Sequence, residues 1–185
     1  MDAFEQIVAD LLRQEGYWTW NGYKINLTKD NKKDIGKPSM PRPEIDILAY
    51  KVSENQLLWV ECKSYLDSHG VLYKSLADPE NSWASHYKIF TETKFRTIAA
   101  EELLKQVVGK GLVLPNPTLK FCLVTGHIAT TTDRTNLHAY FDQKGWLLFD
   151  ESWLKERLHE LSKSSYEDDV AAIVAKLFAR ITEDQ

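Results

Sequence analysis

The chain predicts an α/β fold, a central mixed β-sheet flanked by helices. Three observations carry that prediction. The segments Pro43-Glu44-Ile45-Asp46-Ile47 and Trp59-Val60-Glu61-Cys62-Lys63-Ser64 alternate charged and apolar residues at the two-residue period of a strand. Phe4, Ile7, Val8, Leu11 and Leu12 recur at the period of a helix. Phe121-Cys122-Leu123-Val124-Thr125 reads as a buried strand that follows a helix, the order of a β-α-β crossover.

Taken in order, the first helix covers the stripe from Phe4 to Leu12 and ends before Gly16, placed as its C′ residue. Tyr17 to Ile25 alternates and contains Asn21-Gly22, a hairpin-turn dipeptide. Residues 28–42 are polar and carry Pro38 and Pro41, which predicts a loop. Strands over about 44–51 and 56–64 complete a meander. The Leu57-Leu58-Trp59-Val60 run predicts that the second of them is central. Asp67, Gly70, Asp78-Pro79 and Asn81 break residues 66–92, where no element is predicted.

A helix from about Thr97 to Val108 rests on Ile98, Leu103, Leu104, Val107 and Val108, and Gly109 and Gly111 stop it. His138 to Phe141 is a short strand or a helix end, and Trp146 to Phe149 is apolar enough for a buried strand. Asp150 or Ser152 caps a helix over Trp153 to Leu161. Ser164 and Ser165 with Glu167 and Asp168 open the last helix, whose apolar stripe is Val170, Ile173, Val174, Leu177 and Ile181.

At 185 residues and 43% hydrophobic, the chain can bury one good core. One domain over 1–185 is expected, with the motif-bearing core in 1–125 and further α/β elements in 126–185. No run of about eighteen apolar residues occurs, so no membrane span is expected. The N-terminus has no basic region leading into an apolar stretch, which predicts a cytoplasmic protein. Cys62 and Cys122 lie in apolar strand patterns and are expected as reduced core thiols.

Alternation puts Glu44 and Asp46 on one strand face and Ile45 and Ile47 on the other. Glu61 and Lys63 share a face, and Cys62 points away. Two carboxylates and an ammonium then meet where ordinary strands place Val or Leu. Buried charge of this kind is costly unless it is paired or holds a metal, so the pattern reads as a divalent-metal site for hydrolysing phosphodiesters.

These residues resemble the signature of the PD-(D/E)xK nuclease superfamily, the restriction-endonuclease-like fold. Asp46 fills the first acidic position, fifteen residues ahead of Glu61, and Lys63 completes the triplet. Glu-Ile-Asp-Ile followed by Val-Glu-Cys-Lys is similar to the Holliday-junction-resolvase and Mrr-like branches. Proline precedes Glu44 and not the Asp, so the strict Pro-Asp dipeptide is absent.

The resemblance implies an endonuclease acting on DNA in repair, recombination or defence, with Mg²⁺, or alternatively Mn²⁺, as cofactor. It implies Asp46, Glu61 and the backbone carbonyl of Cys62 as metal ligands and Lys63 as the group that holds or deprotonates the attacking water. Glu5 lies at the spacing of the superfamily's helical glutamate, where it would bind a second metal or orient water. Glu5 is equally read as a first-turn residue favoured by the helix dipole. Glu44 is a weaker candidate on the Asp46 face.

Net charge is −4, yet Lys24, Lys29, Lys32, Lys33, Lys37 and Arg42 cluster ahead of the acidic strand. From Asp150 onward nine acids oppose five Lys or Arg. The basic stretch predicts a grip on a phosphate backbone, against the plainer reading of a solvated loop. Trp18, Trp20 and Tyr23 beside Lys24 read as packing aromatics before base-stacking ones. His69 reads as an exposed loop histidine, and Gln106 has no local motif behind it. Cutting both strands of a duplex would suit a homodimer. Two alternatives stand beside the nuclease: a non-catalytic nucleic-acid-binding module on the same fold, and a plain α/β domain in which Glu61 and Lys63 form a surface pair.

Overall fold

The computed structural model describes residues 2–165 and 169–183. Helix α1 (Ala3–Gln14) opens with a reciprocal cap. The Asp2 carboxylate accepts the Glu5 N–H at 2.8 Å, and the Glu5 carboxylate accepts the Asp2 N–H at 3.2 Å. Gly16 follows in the left-handed region at φ +88° and turns the chain into strand β1 (Trp18–Lys24). Helix α2 (Lys29–Asp34) leads to strands β2 (Glu44–Lys51) and β3 (Gln56–Lys63). The short helices α3 (Lys74–Ala77) and α4 (Lys88–Thr91) precede the long α5 (Thr93–Gly109). Strand β4 (Thr118–Thr125), α6 (Thr131–Lys144), β5 (Leu147–Phe149), α7 (Glu151–Lys163) and α8 (Val170–Glu183) complete the chain.

The five strands form one mixed sheet in sequence order. β1, β2 and β3 are an antiparallel meander, and β3, β4 and β5 run parallel. Parallel neighbours need long connections, and here helices supply them, α3–α5 before β4 and α6 before β5. Strand β3 is central, as its apolar run predicts. Leu57 and Trp59 face one core with Leu103, Val107, Leu137 and Phe141 from α5 and α6. Leu58 and Val60 face the other, with Val8 and Leu11 of α1, Leu154 of α7 and Ala171 of α8. Each fully buried Leu or Val contributes roughly 1.5–3 kcal/mol, so both faces of β3 anchor the molecule.

Several expectations are corrected. Asn21-Gly22 is not a turn, because β1 continues through it with Asn21 opposite Ile47 and Tyr23 opposite Ile45. Gly22 keeps the turn-like φ of +65°, but pairing along β2 outweighs the local preference. Residues 28–42 are not all loop. Thr28 and Asn31 cap each other reciprocally and start α2, with Asn31 in the place where Glu or Gln is usual. His138 to Phe141 is the helix end and not a strand, within α6. Asp150, not Ser152, caps α7.

The apolar stripe of α8 is also placed otherwise. Val170, Ile173, Val174, Leu177 and Ile181 are exposed, and the helix packs through Ala171, Ala172 and Ala175. Small residues let its backbone approach α1 and α7 closely, which turns the larger side chains outward. Glu167 and Asp168, expected to open this helix, lie outside the described residues. Cys62 and Cys122 are both free thiols. Among the described residues no helix is long and apolar enough to cross a membrane.

Candidate active site

The site begins where β2 and β3 part. Their pairing runs as far as Ile47 opposite Val60. Beyond that point β2 stays paired with β1 to Glu44, while β3 stays paired with β4 to Lys63. In the fork Asp46 Oδ2 accepts the Cys62 backbone N–H at 2.8 Å, so a side chain takes over from the ladder. The strand is bent there. Ile45 packs in the core with Trp59, but Ile47 packs in the core with Val60, although strict alternation gives them one face.

Glu61 and Lys63, two residues apart on β3, turn to each other, with Lys63 Nζ donating to Glu61 Oε1 at 2.6 Å. Each side chain is only 19% exposed, which excludes the plain surface pair. Burial raises the Glu61 carboxyl pKa. Lys63 opposes that shift, the Asp46 charge adds to it, and the net is upward. Asp46 is also raised by burial, against the lowering effects of the Cys62 N–H and of Lys63. Burial disfavours the Lys63 ammonium, but Glu61 and Asp46 outweigh it and hold the proton more firmly than usual. Two carboxylates that resist ionisation thus sit beside one ammonium, a local demand for positive charge.

Glu5 joins from α1. Its carboxylate serves the helix cap, as the first-turn reading expects, and burial followed by the Asp46 charge raises its pKa. Cys62 touches Asp46 through its N–H; its thiol is pushed well up by burial and is inert. Glu44 stands at the edge of this cluster, its charge adding to the upward shift of Asp46. It is about half exposed and pairs with Lys24 at 3.2 Å.

Among the described residues, no three His, Cys, Asp or Glu side chains converge to hold a metal unaided. Two oxygen donors at the fork, Asp46 and Glu61, nevertheless fit Mg²⁺, which uses one or two carboxylates and completes its shell with waters and substrate phosphates. They suit zinc less well, since zinc sites usually bring three or four protein ligands that include His or Cys.

A groove of about 370 Å³ opens beside the fork, lined by Lys37, Arg42, Glu44, Glu61, His86 and Lys88 among others. Of the six expected backbone-binding residues, only Lys37 and Arg42 reach it. Lys37 is held by Glu92 at 2.5 Å, and Arg42 donates to Asn26 Oδ1 at 3.4 Å. Lys24 is engaged by Glu44, while Lys29, Lys32 and Lys33 sit on α2 and do not line the groove; Lys33 pairs with Asp30 at 3.4 Å.

His86 and Lys88 carry no sequence signal, because they lie in the stretch whose breakers hide any periodicity. Gln106 is structural, bonding both the backbone N–H and the carbonyl of Asn26. Tyr23 is buried against Trp20, whereas Trp18 stands 79% exposed. Compared with known proteins, the chain matches no family model, no curated protein and no solved structure.

Proposed function

We propose that the chain is a Mg²⁺-dependent deoxyribonuclease, an endonuclease, built on a restriction-endonuclease-like arrangement of its mixed sheet. One observation carries the reading. Asp46, Glu61 and Lys63 meet in a strand fork whose Glu61 lines a basic groove, with both carboxyls raised and the ammonium retained. A structural ion pair needs neither the third charge nor the groove. Phosphodiester hydrolysis needs all of these, because negative charge builds on the phosphoryl and leaving oxygens as water attacks.

Asp46 and Glu61 would hold the metal. When bound, it supplies Lewis acidity and a more acidic water. Lys63, kept protonated by Glu61, offsets charge on the phosphoryl group and orients the attacking water. Glu5 accepts a hydrogen bond from that water or adds a carboxylate. Lys37, Arg42 and Lys88 attract the phosphate backbone along the groove. This local field lets a chain of net charge −4 hold a polyanion.

Supercoiled, linear and branched DNA incubated with Mg²⁺, Mn²⁺ or EDTA tests the proposal. Cleavage is expected with either metal and none with EDTA. Lys63→Ala should lower the rate by about 10²–10³-fold, the scale for losing one charge-stabilising donor. Cleavage that survives EDTA, or Lys63→Ala at full rate, overturns it. Tight metal-independent binding without cleavage would identify a non-catalytic nucleic-acid-binding module.

A further inference from the structure

Past Lys63 the chain does not simply leave the site. Ser64 leads to Tyr65, which stands at φ +45°, a left-handed conformation that is costly for a bulky side chain. Tyr65 lines a second cavity of about 340 Å³ with Trp83, Tyr87, His69, Ser68 and Ser75. That volume lies at the lower end of small-ligand pockets, about 300–1,000 Å³. Tyr87 is buried and its hydroxyl donates to the Tyr65 hydroxyl at 3.5 Å, so the two hydroxyls meet in the cavity wall. Trp83 is 55% exposed, a large aromatic left at a cavity mouth.

The two cavities share a wall. Ser85, His86 and Lys88 line the basic groove, while Trp83 and Tyr87 of the same segment line the aromatic cavity. The His86 imidazole lies 5.2 Å from the Trp83 ring across that wall. Both cavities also abut the end of β3, one through Glu61 and the other through Tyr65. The Glu61 charge is felt at the Tyr87 hydroxyl, whose pKa burial and Tyr65 raise first. The lining of the aromatic cavity holds no carboxylate and no Lys or Arg, so it suits a neutral planar group.

We propose that the Tyr65–Trp83–Tyr87 cavity receives an unpaired nucleobase of the strand whose phosphates lie along the Lys37–Arg42–Lys88 groove, which makes the substrate single-stranded or locally unpaired DNA. The assignment rests on the nuclease reading above for the position of the backbone. A base inside a duplex is stacked on both faces and cannot enter such a cavity without being extruded. An unpaired base can stack on an aromatic ring whatever its identity, so the cavity selects strand state and not sequence.

The test measures binding of the whole chain, in EDTA so that no hydrolysis intervenes, to a fluorescein-labelled DNA single strand, its duplex, and single strands with one abasic nucleotide at successive positions. Wild type should prefer the single strand. Trp83→Ala should weaken single-strand binding about tenfold, Trp83→Phe should retain most of it, and duplex binding should change little. At one position an abasic nucleotide should cost wild type a similar factor and cost Trp83→Ala nothing further. Trp83→Ala that binds like wild type, or that loses equally on intact and abasic strands at every position, overturns the base cavity. Lys63→Ala separates this from the nuclease reading. If it abolishes cleavage while Trp83→Ala is silent, only the cavity assignment fails. If Lys63→Ala cleaves at full rate while the abasic coupling holds, only the hydrolytic reading fails.

Discussion

Asp46 and Asp150 are both largely buried carboxylates on loops or strand ends of one sheet, and their surroundings drive them in opposite directions. Asp150 follows β5 and caps α7, accepting the Ser152 N–H at 2.9 Å and the Trp153 N–H at 3.4 Å. Its other oxygen meets His138 Nε2 at 3.1 Å and Arg134 Nη1 at 3.3 Å. Burial pushes its pKa up, but these four partners outweigh burial and hold it below the ordinary value. Asp46 has one backbone N–H and the nearby Lys63, and burial wins. The neighbours extend the contrast. Glu151 accepts the Ile128 N–H at 2.7 Å and has Arg134 3.0 Å away, whereas Glu61 shares a single lysine with Asp46. A saturated buried acid is a structural cap. An under-partnered pair retains acceptor capacity for a cation.

The largest expected effect crosses the two sites. Asp46→Asn keeps an oxygen for the Cys62 N–H and should leave the fold intact while lowering DNA cleavage by about 10²–10³-fold or more. Asp150→Ala should do the reverse. Cleavage per folded molecule stays at the wild-type level, and loss of the cap with His138 left without its carboxylate partner costs about 2–3 kcal/mol. In a domain of this size that is a fall in Tm of roughly 5–10 °C. Cleavage assays beside thermal unfolding decide it, and an active Asp46→Asn would remove the distinction.

Next in size is the response to metal. Mg²⁺ binding only the folded chain should stabilise wild type by about 2.7 kcal/mol at a hundred times its Kd. Asp150→Ala should gain the same increment from its lower start. Asp46→Asn should gain little. A titration followed by Tm separates these, and an equal gain in all three proteins would mean that the cation binds elsewhere.

The contrast was only half legible in the sequence. Alternation revealed Asp46, Glu61 and Lys63 because a charge every second residue violates what a central strand ordinarily holds. Asp150 was legible as a cap, since a capping acid is a local signal. The fork itself was not, because the parting of β2 and β3 depends on each strand's other neighbour. Nor was the aromatic cavity, where Tyr65, Trp83 and Tyr87 converge across a segment whose turns erase periodicity. Asn21-Gly22 and the α8 stripe misled for one reason: local pattern predicts a turn or an inward face, and tertiary pairing decided against both.

A subtler test uses pH, in EDTA. The folded pKa of Asp46 lies above its unfolded value, so its contribution is fully present below the ordinary carboxyl pKa of about 3.9 and is lost as pH rises through the folded value. The folded pKa of Asp150 lies below, so its contribution is present above that ordinary value and is lost as pH falls through the folded one. The stability difference between wild type and Asp46→Asn should therefore shrink or reverse on going from acid toward neutral pH. The difference from Asp150→Asn should shrink on going from neutral toward acid. Denaturant unfolding across that range measures both, and slopes of the same sign would mean that the two acids do not differ as described.

The smallest effect concerns the groove that only the Asp46 end possesses. Lys88 is exposed and lines it, while Lys144 is exposed on α6 and does not. Neither substitution to Ala should change stability by more than about 0.5 kcal/mol, because neither side chain is buried. If Lys88 neutralises one phosphate, Lys88→Ala should reduce the slope of log K against log salt by about one and weaken all DNA sequences alike. Lys144→Ala should leave the slope unchanged. Binding isotherms over a salt series resolve a difference of that size. Equal slopes for Lys88→Ala and wild type would place the phosphates off the groove that Glu61 lines.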